Sequence, residues 1–165
     1  MIIVVVYVDD INFGSNIQIL NVEFSFEMKK EFKMSMLGEL TSFLGLQVYQ
    51  TDEGIFISQT KYIKDMLKKF KMEDSKPVST HMVIGCNLIK DDESLEVDHT
   101  MFRSMIGSLI YVTATRLDVM QTVGLVAIFQ SSPKETHVTT VKMILKYLKV
   151  PWSMVYGIQK DKTLP

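Results

Sequence analysis

Asp9 and Asp10 stand side by side at the end of the apolar run "VVVYV" (residues 4–8). Two carboxylates held in one small volume repel each other unless a cation neutralises them. Carboxylate oxygens at short reach suit Mg²⁺, a hard cation that keeps part of its water shell and accepts substrate phosphates. A pair of such ions would stabilise both the attacking and the leaving oxygen of a phosphoryl transfer. The apolar strand behind the acids would fix their position and exclude water. The plain alternative is a solvated Asp-Asp turn on a surface hairpin, and the pair alone leaves both readings open.

The elements that must position this pair follow from hydrophobic spacing. Residues 1–8 are rich in β-branched side chains with no polar alternation, which predicts a strand buried on both faces. Asp9 and Asp10 predict a tight turn, with residues 11–14 returning as a second short strand. Ser15 or Asn16 supplies a helix cap. Ile17, Leu20, Phe24, Met28 and Phe32 then recur at helical spacing. Leu20, Val22, Phe24, Phe26 and Met28 also alternate with period two. The length of the segment and the helix formers Glu27, Lys29, Lys30, Glu31 and Lys33 favour helix.

Further on, residues 42–49 and 55–58 flank "TDEG" (51–54) and predict a β-hairpin. A helix follows with an apolar stripe of Tyr62, Ile63, Met66, Leu67 and Phe70. Residues 72–100 show no sustained period and predict a long connection. Three helices are then expected. One covers 101–112 with Phe102, Met105, Ile106, Leu109 and Ile110 on its apolar face. One covers about 117–130. The last runs from Pro133 at its first position to Lys149, through Val138, Val141, Ile144, Leu145 and Leu148, and Pro151 ends it.

With 165 residues and 47% apolar content, the chain can build one ordinary domain or two small ones. Its net charge of −1 does not mark a nucleic-acid binder, but the charge is segregated. Lys61, Lys64, Lys68, Lys69 and Lys71 face a single Asp65 in the second helix. Asp91, Asp92, Glu93, Glu96 and Asp98 crowd the connection, and Lys134, Lys142, Lys146 and Lys149 lie on the last helix. The single Cys86 excludes a disulfide framework and a thiolate zinc site and suits a reducing compartment. His81, His99 and His137 lack metal-ligand spacing and read as surface or capping residues. The first eight residues are too short to span a bilayer and lack a signal-peptide flank, so an intracellular soluble chain is expected.

The residues around the pair narrow the choice. "YVDDINFGS" resembles the Tyr-X-Asp-Asp box of reverse transcriptases, in the form used by copia-type retrotransposons. "LGELTSFLGLQV", "GIFISQTKYI" and "MIGSLIYVTATR" follow in the order found in copia-type Pol polyproteins, and the likeness spans about residues 1–149. The resemblance implies an α+β fold: the C-terminal part of a polymerase palm with its primer-grip hairpin (1–58), a thumb helix and acidic linker (59–100), a helical connection segment (101–150) and a tail (151–165). It implies that Asp9 and Asp10 bind the catalytic metal, two Mg²⁺ ions in the intact enzyme. It implies that Tyr7 and Val8 lie beside the primer terminus. It also implies that Phe43, Leu44, Gly45 and Leu46, within "FLGLQV", grip the primer end, with Gly45 letting backbone approach nucleic acid. Lys61, Lys64, Lys68 and Lys71 then form one polar stripe on which the phosphates of an A-form hybrid would run.

The implied partners are an RNA or DNA primer–template, dNTP, and the RNase H and integrase segments of the same polyprotein, with no membrane. The implied setting is a cytoplasmic virus-like particle or the nucleus. The family pattern also needs a third carboxylate, from a strand upstream of the hairpin. Asp52 in a turn and Glu23 and Glu27 on a helix do not substitute for it. The expectation is therefore a fragment, inactive by itself and marginally stable, with an exposed strand edge. The alternative is a non-catalytic remnant that binds an RNA–DNA hybrid or a protein. A receiver-domain reading, with Asp52 as phosphoacceptor, fails because strands do not alternate with helices throughout. Departures from the family pattern are His81 and Leu117 in place of prolines, Ile128 in place of arginine, and "KVP" (149–151) in place of "KGT".

Overall fold

The alternating and helical apolar spacings sort the chain into short hairpins and amphipathic helices. The computed structural model describes residues 1–52, 54–82, 88–89 and 94–150, and the backbone of 156–159. The chain divides into two compact units, Met1–Thr41 and Ser42–Pro165. The predicted acidic run at 91–93, Cys86 and Pro151 lie outside the described residues. Among those residues, no helix is long and apolar enough to cross a membrane.

In the first unit, β1 (Ile3–Tyr7) pairs antiparallel with β2 (Asp10–Gly14), and α1 (Gln18–Glu31) follows. The helix is where the spacing placed it, but its ends differ. No side chain caps it: Ser15 Oγ instead accepts from Ile17 N and donates to Met1 O, and Ile17 and Phe32 fall outside the helix. Leu20, Phe24 and Met28 are half-buried on one face, and the Phe24 ring lies 4.8 Å from that of Phe13 on β2. Ile19, Val22 and Phe26 occupy another face and are exposed, which accounts for the competing period-two pattern.

The expectation of a strand buried on both faces does not hold, because every residue of β1 is exposed. Among the described residues β1 has only β2 as a strand neighbour, so apolar side chains such as Val5 and Val6 meet solvent. Asn12 Nδ2 and Asn21 Oδ1 are also buried without a hydrogen-bond partner. Such atoms cost about 1–3 kcal/mol each.

In the second unit, β3 (Ser42–Phe43), β4 (Leu46–Gln50), β5 (Gly54–Ser58) and β6 (Tyr156–Gln159) form one antiparallel sheet in chain order. The hairpin predicted around "TDEG" is present, with Gln47 opposite Ser58 and Gln50 opposite Ile55. Its first strand is broken in two by a tight turn at Leu44-Gly45. Asp52 lies between β4 and β5, as a hairpin and not a receiver site requires.

Four helices share the hydrophobic core of this unit: α2 (Thr60–Lys69), α3 (His99–Val112), α4 (Met120–Ala127) and α5 (Glu135–Tyr147). Met66 and Leu67 of α2 join Phe102, Met105, Ile106 and Leu109 of α3 and Val141, Ile144 and Leu145 of α5. Each such side chain contributes roughly 1.5–3 kcal/mol on leaving water. Ile110, expected on the buried face, is 52% exposed, because Val112 takes the inward position one turn on from Leu109. Pro133 lies just outside α5 and not at its first turn. The helix expected over 117–130 is an α-helix of eight residues with a 3-10 turn at each end, Leu117–Val119 and Ile128–Ser131. Tightened turns of this kind satisfy end groups that no side chain caps.

His137 caps α5 as expected but is fully buried rather than at the surface. Its Nδ1 accepts from Lys134 N at 2.9 Å, so the ring proton sits on Nε2, 3.1 Å from Ile89 O. His81 is not a bare replacement for proline either. Its Nδ1 lies 2.8 Å from Thr122 Oγ1, and its ring meets Tyr147 edge-on. Ile128, in place of arginine, is 71% exposed.

Arg116 presents Nε and Nη2 to the two carboxylate oxygens of Asp118 at 2.8 and 2.7 Å, and Tyr147 Oη donates to Asp118 Oδ2 at 2.8 Å. The Arg116 hydrogen bond holds the Asp118 carboxyl below its ordinary value, against desolvation and with help from Tyr147. Burial, followed by the Asp118 hydrogen bond, pushes the Tyr147 phenol up. A depressed carboxyl contributes stability above its unfolded value near pH 3.9 and loses it as pH falls through the folded value. A raised phenol contributes below about pH 10 and loses it as pH rises through the folded value. Thermal melts across pH are expected to show a shallower acid arm below about pH 4 for Asp118→Asn. For Tyr147→Phe the alkaline arm above about pH 10 is expected to be shallower.

Candidate active-site hairpin and nucleic-acid face

The acidic pair sits at the tip of the first hairpin, but the turn is one residue earlier than the spacing predicted. Val8 and Asp9 make the turn, and Asp10 opens β2 opposite Tyr7. Paired positions of this kind hold their Cβ atoms about 5 Å apart. Val8 has φ 50°. A β-branched residue in the left-handed region is strained by roughly 1–3 kcal/mol. Asp9 and Asp10 are both exposed. Their oxygens are the right kind of donor for a hard divalent cation. In number they fall short, since among the described residues no three of His, Cys, Asp or Glu gather where they would hold a metal ion.

In the second unit the residues of "FLGLQV" form a tight hairpin of their own. Leu44 and Gly45, at φ 51° and 82°, are the two turn residues between Phe43 and Leu46. Positive φ at both positions is what a two-residue hairpin loop demands, and Gly45 meets it without strain. The space that a Cβ on Gly45 would take is held by protein: it would lie 3.0 Å from Tyr111 Oη. Tyr111 Oη donates to Leu44 O. The glycine therefore leaves room for the Tyr111 ring on that side.

The start of α2 is built by the sheet. Its preceding residue, Gln59, makes no cap. Ser58 Oγ accepts from Thr60 N at 3.2 Å, and Gln47 Oε1 accepts from Lys61 N at 3.0 Å. Gln59 turns inward, where its Nε2 donates to Tyr111 O at 2.9 Å and its Oε1 accepts from Thr115 Oγ1 at 2.7 Å. Tyr62 packs edge-on against Tyr111 at 4.6 Å. Sheet, α2 and the end of α3 are thereby joined through polar side chains.

Lys61, Lys64 and Lys68 are exposed on α2, opposite buried Met66 and Leu67. Lys71 does not extend that stripe. It follows the helix with φ 55°, in a Schellman-type stop where Met72 N donates to Leu67 O and Lys71 N to Lys68 O. Lys69 Nζ is tied to Ser104 Oγ at 2.9 Å. Spacing alone did not reveal Gln47, Gln59 or Tyr111. Each acts through hydrogen bonds to residues far along the chain, which leave no periodic trace.

Along the chain an acidic hairpin is followed by a helix, a second tight hairpin and a basic helix. The family model described as reverse transcriptase (RNA-dependent DNA polymerase) matches residues 1–84, and the chain belongs to that family. It is 35% identical over 144 residues to an uncharacterized mitochondrial protein of Arabidopsis thaliana, covering 87% of this chain and 59% of that protein. It is 32% identical over 157 residues to the retrovirus-related Pol polyprotein from transposon TNT 1-94 of Nicotiana tabacum. It is also 32% identical over 164 residues to that from transposon RE1 of Arabidopsis thaliana. These matches cover 90% and 99% of this chain but only 12% and 11% of the polyproteins. No solved structure matches the chain.

Ala at position 45 would be strained by its φ and crowded by the Tyr111 hydroxyl. Gly45→Ala is expected to cost about 1–3 kcal/mol in denaturant unfolding. The cost should be smaller in a Tyr111→Phe background, where the crowding oxygen is gone. Equal costs in the two backgrounds would show that the contact plays no part.

Proposed function

We propose that this chain is the part of a transposon reverse transcriptase that carries the paired catalytic carboxylates, the primer-grip hairpin and the first thumb helix. The observation that carries the reading is the Tyr7–Asp10 hairpin tip, with its two exposed carboxylates and left-handed Val8, in a chain of this family. In the intact polyprotein it takes part in DNA synthesis on an RNA or DNA template. Asp9 and Asp10 would hold divalent metal, which we take to be Mg²⁺. When bound, the metal supplies charge stabilisation at the oxygens of the phosphoryl transfer.

This chain's own residues do the positioning. The β1–β2 ladder fixes where the two carboxylates stand, and Tyr7 shares the last rung with Asp10. Phe43, Leu44, Gly45 and Leu46 form the tip on which the primer end rests, and Tyr111 holds that tip from behind. Lys61, Lys64 and Lys68 track the phosphates of the hybrid.

Among the described residues no third acid stands beside the two carboxylates, which supports the reading of a part that needs the rest of the polyprotein to extend a primer. A second reading, a hybrid-binding remnant without catalysis, is favoured by the α2 lysines, which need no metal. Both readings require hybrid binding, and filter binding at several salt concentrations tests it. Three phosphate contacts predict a log–log salt slope of about −2.7, and Lys64→Ala should weaken it by about 1. A slope near zero would contradict the nucleic-acid face. Primer extension with the chain, Mg²⁺ and dNTPs is expected to yield no product. Extension abolished by Asp9→Asn would overturn the inactivity of the chain alone.

A further inference from the structure

The face of the sheet at the start of α2 carries a large exposed aromatic residue: Tyr49 on β4 is 51% exposed, whereas Gln47 and Phe56 are half-buried. Side chains two apart on a strand share a face, so Gln47 and Tyr49 point the same way. Their cross-strand partners, Ser58 and Phe56, share it too.

Gln47 links the two halves of this surface. Its Oε1 accepts the backbone N–H of Lys61, and its amide nitrogen donates to Tyr49 Oη at 3.2 Å. The Lys61 N–H can only donate, so the orientation of the amide is set and its NH₂ must face the phenol. The Tyr49 ring is thus tethered by its hydroxyl beside the first turn of the helix that displays Lys61, Lys64 and Lys68. Neither its exposure nor the tether serves the apolar core, which does not include Tyr49.

We propose that Tyr49 is a stacking site for an unpaired nucleobase, next to the phosphate-tracking face of α2. Bases inside a duplex stack on one another, so an exposed ring recruits a base that has left the helix or overhangs its end. The ligand class is therefore a hybrid with a single-stranded extension, held by its phosphates on the lysines and by one base on Tyr49. The site rests on the nucleic-acid reading above and adds to it a preference for strand ends that charge alone does not give.

The test uses the whole chain, an RNA–DNA hybrid with blunt ends, and the same hybrid with a short overhang carrying 2-aminopurine. The wild type should bind the overhang form about tenfold more tightly and quench the 2-aminopurine fluorescence. Tyr49→Leu, which keeps apolar bulk in the strand but removes the π face, should erase that difference and leave the salt slope unchanged. Tyr49→Phe, which keeps the π face but loses the tether to Gln47, should retain the preference in weakened form. Lys64→Ala should lower affinity for both forms alike and reduce the slope. If Tyr49→Leu keeps the overhang preference, or the wild type shows none while binding with a steep salt slope, the stacking site is refuted and the basic face stands. Wild-type protein that binds neither form refutes both. Circular dichroism melts of each variant separate loss of binding from loss of fold.

Discussion

Gln59 is the joint on which the second unit depends. It is 2% exposed, and both ends of its amide are satisfied, by Tyr111 O and Thr115 Oγ1. A buried amide left unpaired costs about 1–3 kcal/mol, so the joint is stable in one arrangement only. Because Gln59 directly precedes α2 and follows β5, that arrangement fixes where the helix departs from the sheet. Ser58 and Gln47 then occupy the first free N–H groups of the helix from the sheet side. The direction of α2, and with it the placement of Lys61, Lys64 and Lys68, follows from three polar side chains and not from propensity.

The hairpin tip depends on the same joint. Tyr111 gives its carbonyl to Gln59 and its hydroxyl to the Leu44 carbonyl, so one residue of α3 serves both the start of α2 and the turn at Leu44-Gly45. Gly45 is needed for its positive φ and also for the room it leaves to the Tyr111 ring. The first unit is organised differently. Its two-stranded hairpin leans on α1 through Phe13 and Phe24, while Val5, Val6, Ile19, Val22 and Phe26 stay in solvent and two amide atoms have no partner. Much of its apolar surface is therefore uncovered.

Much of this was legible in the sequence wherever one side chain repeats at a structural period. Spacing assigns Met66 and Leu67, Phe102, Met105, Ile106 and Leu109, and Val141, Ile144 and Leu145 to apolar helix faces, and all are buried there. The turn at "TDEG" set the register of β4 and β5. Spacing misled where burial depends on neighbours. Residues 3–7 are apolar throughout yet uncovered, and Ile110 sits one position round from the core. Lys71 fits the stripe by count, but the helix stops before it. The joining residues were not legible, because Gln47, Gln59 and Tyr111 act on partners 14, 52 and 67 positions away, and single long-range bonds have no period.

We propose that the Leu44-Gly45 tip and the exposed side of α2 form one nucleic-acid surface, held in place by Gln59 and Tyr111. Backbone amide exchange of the chain with and without a primer–template hybrid tests it most directly. Slowed exchange is expected to be confined, within the second unit, to residues 43–49 and 61–68, with α4 and α5 unchanged. Slowing centred on α4 or α5, or no change at saturating hybrid, would contradict it.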